Sequence, residues 1–335
     1  MNREVQKMIV VKISGGLGNQ MFQYAFGRQL QEMYRMPLVL ETFRYDGFFS
    51  GKLGNRLFPI HTEQRRNLLL QRFCIPFTDH AKEANSCWMP TGAENALLLA
   101  ASMVKKAWTE KALKIPQSGP EGYAQMSRRG FYSTRDLISF YPFEKTEAKH
   151  IFASGWFQSE KYFHDIAPAI RKELRVRDVS SDAVRLLADQ MMRENSVCVH
   201  IRRGDYIGYS RFDVCTEGYF CRAVDLIRKW VEKPVFYVFS NSLMELDWIK
   251  EHYPFLEGAH FVKEGRDELD DLYMVYLQRE TKSESMPLLI FIVLFIVVLD
   301  ACLWLLRCCV CHFCSSSYPI LGRQILYASI SLFRH

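Results

Sequence analysis

Residues Met8–Ile13 form a short apolar, β-branched run, and Ser14-Gly15-Gly16-Leu17-Gly18-Asn19-Gln20 follows at once. From Met21 to Tyr34 the only helix breaker is Gly27, and Phe22, Ala25, Phe26, Gln29, Leu30 and Met33 recur at helical spacing. A strand, a glycine turn and a helix in direct succession open an α/β domain, because the helix has to pack back across a sheet. Pro37 ends the helix, and Leu38–Leu40 resumes as a second strand that closes at Glu41.

The same rhythm continues. The spacing predicts helices near Glu63–Gln71 and Glu94–Ala107, then a strand from Ile151 that turns into a loop carrying Trp156, Gln158 and Ser159, then a short helix over Pro168–Leu174. In the second half Ser196–Ile201 reads as a strand, Gly218–Val231 as a helix, and Leu246–Tyr253 and Glu268–Leu277 as further helices. Val235–Ser240 is apolar almost throughout, as strands covered on both faces tend to be. A chain of 335 residues accommodates two domains of ordinary size. The charged stretch Arg175–Asp182 is the expected boundary, giving domains over 1–178 and 179–280 and a separate ending over 281–335. Ligands in such folds sit at the carboxyl ends of the strands, here beside an expected interdomain cleft.

Composition excludes little beyond general disorder: 49% of residues are hydrophobic and 24% charged. The formal charge of +6 is dispersed among acidic residues and names no partner by itself. The N-terminus reads as a first strand rather than a secretory signal, which predicts a cytoplasmic chain whose body cysteines stay thiols.

Two constellations carry chemistry. The first is Gly15-Gly16-Leu17-Gly18-Asn19-Gln20, with GGxG spacing rather than GxGxxG. Glycines at a strand-to-helix turn permit close ligand approach and leave helix N–H groups open to anions, although a ligand-free tight turn has the same signature. Asn19 and Gln20 favour a ligand, since amides there can fix sugar or base hydroxyls. The second is His200-Ile201-Arg202-Arg203-Gly204-Asp205-Tyr206, five polar or ionisable side chains at the end of an apolar strand. Adjacent arginines on a strand diverge, so one is expected to meet a ligand while the other is held by a carboxylate or reaches the ligand from the turn. A guanidinium facing a diphosphate supplies bidentate hydrogen bonds and positive charge where a leaving group becomes more negative. No DxD cluster closes a strand. Asp270-Asp271 falls in a helical stretch and is read as capping or orienting that helix, so no metal ligand is assigned.

His200–Tyr206 (HIRRGDY) and Gly15–Gly27 (GGLGNQMFQYAFG) together resemble the α-1,2-fucosyltransferases of glycosyltransferase family 11. Ile151–Phe163 is similar to a family segment close to GYWQSEKYF. Cys215-Thr216 before Tyr219, Phe239-Ser240, and Asp271-Leu272-Tyr273-Met274 match further family positions, in order, over roughly the first 275 residues. The resemblance implies an α/β, GT-B-like fold of two Rossmann-type domains with a cleft between them. It also implies inverting, metal-independent transfer of L-fucose from GDP-fucose to the 2-hydroxyl of galactose in a glycan, with no further cofactor and no nucleic acid. On that basis Arg202 and Arg203 surround the pyrophosphate, and His200, Asp205 and Tyr206 order the pocket. Ser240 and Asn241 meet nucleotide or phosphate, and Gly16, Asn19 and Gln20 touch donor or acceptor. An inverting displacement also needs a base for the acceptor hydroxyl. Asp205 is one candidate, unless it clamps an arginine, and Glu41, Asp46 and His164 are others. Trp156 is the expected acceptor platform, Phe22 is core, and Tyr24 is expected to line the cleft.

The family pattern continues past the DLYxM helix with a segment resembling NSSFSWWGAWL, which this chain lacks. Instead an apolar, cysteine-rich ending carries 287–306, long enough to cross a bilayer and interrupted only by Asp300. It reads as a changed reading frame, as an acquired anchor that would place the chain at the membrane, or as a diverged folded ending. The first leaves open a non-catalytic nucleotide- or glycan-binding relative.

Overall fold

The computed structural model describes residues 7–45, 67–80, 83–116, 118–134, 140–204, 207–208, 215–264 and 268–281. The chain divides into two compact units, Met1–Arg177 and Asp178–His335. In order, unit 1 contains β1 (Ile9–Lys12), α1 (Leu17–Tyr34), β2 (Leu38–Glu41), β3 (Phe77–Thr78), β4 (Cys87–Trp88), α2 (Gly92–Ala112), α3 (Gly119–Ser127), β5 (Phe131–Ser133), β6 (Ile151–Ser154) and α4 (Ala167–Glu173). Unit 2 contains α5 (Asp182–Arg193), β7 (Ser196–His200), α6 (Glu217–Trp230), β8 (Val235–Phe239), α7 (Leu243–His252), β9 (His260–Phe261) and α8 (Glu268–Thr281).

The unit 1 sheet runs β3-β4-β2-β1-β6-β5, with every pairing parallel. From β1 the chain moves outward to β2 on one side, and β6 lies on the other. Alternation along β1 feeds both faces. Val11 meets α1, where a Cβ on Gly27 would sit 2.9 Å from the Val11 side chain, so the helix packs close only because that residue is glycine. Val10 and Val39 face the opposite way and pack with Leu98 of α2. Unit 2 has a parallel three-stranded sheet, β7-β8-β9, whose core joins Val197, Val199, Phe236 and Val238 to Phe220, Val224 and Ile227 of α6 and Leu246 and Ile249 of α7. Each unit is thus a parallel sheet clothed by helices, the α/β class with Rossmann-type units that the sequence implied.

Some elements differ from expectation. Asn67–Leu69 is not helical, and only a single 3₁₀ turn, Leu70–Arg72, follows it. The fully buried Gln20 explains this: its amide donates to Asn67 O at 2.8 Å and accepts Leu69 N–H at 3.0 Å, engaging groups a helix would use. Helix α7 starts three residues before expected, because Ser242 caps it by accepting Glu245 N–H at 3.2 Å. Asp270 is buried and accepts Ser180 N–H at 2.9 Å and its hydroxyl at 2.5 Å, which ties α8 to the chain entering α5.

Among the described residues no helix is long and apolar enough to cross a membrane. Residues 287–306 lie outside them, as does the rest of the ending after Thr281.

Candidate functional site

In unit 1 the turns after β1 and β6 lie side by side, because those strands are neighbours while β2 leaves in the other direction; such a switch point opens a crevice at a parallel sheet's carboxyl edge. Gly15 has φ +84°, the left-handed region, and a Cβ there would come within 2.5 Å of Asn19 Nδ2. Its carbonyl accepts from Tyr45 Oη at 2.6 Å and Gln20 Nε2 at 3.3 Å. Gln23 of α1 accepts Ser14 N–H at 2.8 Å and donates to Gly155 O at 3.0 Å, clamping the two turns together. Gln158 adds a bond to Asn19 Oδ1 at 2.7 Å. Gly16 and Asn19 are partly exposed on this edge, whereas Gln20 is fully buried with its amide bonded to the protein. Sequence reading missed Gln23 and Tyr45, whose partners lie far along the chain or on the main chain.

Helix α1 is anchored at its far side by Glu173, which accepts Tyr24 Oη at 2.6 Å and Arg28 Nη2 at 3.0 Å. Tyr24 is therefore core and not cleft-lining, and Phe22 packs as expected inside, its ring 6.0 Å from that of Phe163. Trp156 stays partly exposed beside Gln158.

On the α2 face of the same sheet, Lys12, Glu41, Ser133 and Ser154, the last residues of four strands, line a cavity of about 240 Å³. Burial is the main influence on Glu41 and lifts its pKa to about 7, against the opposing pull of Phe43 N–H at 2.6 Å, Lys12 and Arg44. Because the native pKa lies above the ordinary 4.5, the folded protein binds this proton more tightly than the unfolded chain, and stability falls as pH rises from 4.5 to about 7. Glu41→Gln should then raise stability at pH 8 by up to about 3 kcal/mol and have little effect below pH 4. Lys12, Arg44, Lys106 and Glu110 are the other charged groups around the carboxyl. Chemical denaturation of both proteins across this range checks it, and a pH-independent difference would refute the assignment.

In unit 2 the turn after β7 is stitched to the turn after β8. Ile201 N–H continues the ladder to Phe239 O at 2.9 Å, and Ser240 Oγ donates to Ile201 O at 2.7 Å. Asn241 Oδ1 accepts Arg203 N–H at 3.2 Å. Gly204 has φ +50°, and a Cβ would come within 2.6 Å of Asn241 Nδ2, so only glycine passes here without displacing Asn241.

The two arginines have different settings. Arg203 donates from Nε to Glu245 Oε2 at 2.8 Å, and its guanidinium carbon lies 3.2 Å from the ring centre of Trp248, one helical turn further along α7. Carboxylate and indole together fix its plane. Its two Nη groups donate no hydrogen bond among the described residues, leaving an oriented fork beside the start of α7. Arg202 is partly buried, close enough to His200 for its charge to act there. Burial first, and Arg202 second, push the His200 pKa down to about 3, so this buried imidazole is neutral near pH 7. Sequence reading found the arginine pair but missed Glu245 and Trp248. Asp205, Tyr206 and Asp46 lie outside the described residues, and His164 is highly exposed beside Asp165.

The arrangement in unit 2, a preset guanidinium with hydroxyl and amide groups at two adjacent strand ends, suits a phosphate-bearing ligand. Among the described residues no three His, Cys, Asp or Glu side chains gather as metal ligands.

Comparison with known proteins adds lineage. The family described as glycosyl transferase family 11 matches residues 8–275. An alpha-1,2-colitosyltransferase of Escherichia coli is 24% identical over 271 residues, covering 78% of this chain and 79% of that protein. A galactoside 2-alpha-L-fucosyltransferase of Caenorhabditis elegans is 29% identical over 219 residues, 64% of this chain and 51% of that protein. A galactoside alpha-(1,2)-fucosyltransferase 2 of Rattus norvegicus is 31% identical over 108 residues, 30% of each. Among solved structures, the NodZ alpha-1,6-fucosyltransferase soaked with GDP-fucose aligns with a TM-score of 0.38 and 12% identity over 82% of this chain and 85% of that one.

Proposed function

Because the chain belongs to glycosyl transferase family 11, we propose that it transfers L-fucose, with inversion, from GDP-β-L-fucose to the 2-hydroxyl of a galactose residue in a glycan. The supporting observation is the fixed Arg203 fork beside Arg202 at the carboxyl edge of the unit 2 sheet.

In this reading unit 2 takes the donor. As the bond from the sugar's anomeric carbon to the diphosphate lengthens, negative charge gathers on the departing phosphate oxygens, and the two guanidinium groups stabilise it without a metal. Glu245 and Trp248 set Arg203 in place beforehand, so little reorganisation is needed at the transition state. Ser240 and Asn241 join the two strand-end turns and position the arginine backbone against the phosphates. His200 contributes as a neutral group packed beneath the turn. Asp205 is the proposed base, or the clamp on Arg202. Unit 1, through Gly16, Asn19 and Trp156, contacts the sugars.

Names of relatives support the linkage: all three carry α-1,2 or 2-α transfer, two of them to galactosides. A second reading, that colitose is the sugar moved, is favoured by the relative that covers most of both chains. Purified chain incubated with GDP-fucose and lactose, with EDTA present, is expected to yield GDP and a fucosyllactose whose new linkage is α-1,2 by NMR. Turnover only with a colitosyl donor would select the second reading. GDP binding with no transfer to any galactoside would instead make the chain a non-catalytic binding relative, and activity abolished by EDTA would remove the metal-free mechanism.

A further inference from the structure

The unit 1 cavity is not used by the donor chemistry above. Its floor is formed by the final residues of β1, β2, β5 and β6, namely Lys12, Glu41, Ser133 and Ser154, and its roof by Ser102, Lys106 and Glu110 of α2. One wall is aromatic: Phe131 and Phe152 stack with centroids 5.4 Å apart and interplanar angle 15°.

Four charged side chains line the cavity, with Arg44 close to Glu41. Lys106 and Glu110 already pair at 3.5 Å, which leaves Lys12 and Glu41. Glu41 is 2% exposed and uses one carboxyl oxygen for Phe43 N–H. Among the described residues Lys12 has neither a hydrogen bond nor an ion pair, although it is partly buried at the end of β1. A partly buried donor and a buried acceptor that do not close on each other match a neutral ligand rich in hydroxyls, which can accept from one and donate to the other. The volume of about 240 Å³ falls below the range of roughly 300–1,000 Å³ usual for larger ligands, and so suits a single ring.

We propose that this cavity binds one hexopyranose residue of the glycan acceptor, with Lys12 and Glu41 hydrogen-bonding its hydroxyls and the partly exposed Phe152 ring bordering its apolar face. The assignment rests on the glycan-acceptor part of the function proposed above, and it is tested separately from the donor part. Saturation-transfer NMR on the full chain with methyl β-galactoside, alongside calorimetric titration with GDP, reads both sites. Lys12→Met removes the ammonium, and Ser102→Phe fills the space from the α2 side. Each is expected to weaken galactoside binding by about tenfold or more while leaving GDP affinity unchanged. Thermal melting shows whether Ser102→Phe stays folded, and Lys12→Met carries the test if it does not. Undiminished galactoside binding in a folded variant would overturn the cavity assignment, as would GDP binding with no galactoside binding in the unmodified chain. Galactoside binding that the variants abolish, in a chain that ignores GDP, would support the cavity and defeat the donor reading instead.

Discussion

Arg202→Ala should lower kcat/KM for GDP-fucose by about 10³-fold, the scale seen when one group that stabilises developing negative charge is removed from a desolvated site. The loss should fall mainly on kcat, because the charge to be neutralised is larger as the sugar departs than in the bound donor. Arg202→Lys should recover only part of it, since an ammonium restores charge but not the planar fork. Arg203→Ala is expected to be nearly as damaging for an additional reason. It leaves Glu245, a buried carboxylate, without its cation and uncovers the face of Trp248. Steady-state kinetics on the three variants check this, and an Arg202→Ala enzyme with unaltered kcat would remove Arg202 from the mechanism.

The largest stability effect is expected from Glu173→Ala in unit 1. Glu173 accepts Tyr24 Oη at 2.6 Å and takes three contacts from Arg28 at 3.0–3.3 Å, with side chains only 14% and 15% exposed. Removing the carboxylate strands a mostly buried guanidinium and a fully buried phenol, a defect that costs about 3–5 kcal/mol. Glu173→Gln keeps an acceptor for Tyr24 and should lose less. The midpoint of urea unfolding measures both, and a Glu173→Ala midpoint equal to that of the unmodified chain would show that this network adds nothing. The defect also reaches the site, because α1 carries Asn19 and Gln23 on its first turns, next to the crevice.

How much of this was legible in sequence depended on locality. Strand, turn and helix at Ile9–Tyr34 could be read because a β-branched run, clustered glycines and a 3.6-residue period are local properties. The same holds for β7 running into Arg202 and Arg203, and for β8. Strands β3, β4 and β5 are two or three residues long, too short for any period to register in the sequence. Asn67–Leu69 read as helix because nothing nearby announces that Gln20, 47 residues away, will bond their backbone. The site divided in the same way. Arg203 stood out from its neighbours, whereas Glu245 and Trp248 became visible only when α7 folded beside it. Glu41 is legible as a strand-end acid, but Lys12, Ser133 and Ser154 share its cavity through strand order, which a linear sequence does not disclose.

Calorimetric titration of the unmodified chain and of Arg202→Ala with GDP and GMP, without metal, bears most directly on whether the strand-end arginines read a diphosphate. The expected result is that GDP binds the unmodified chain at least about tenfold more tightly than GMP, and that the gap collapses in the variant. Equal affinities for the two nucleotides in both proteins would contradict it.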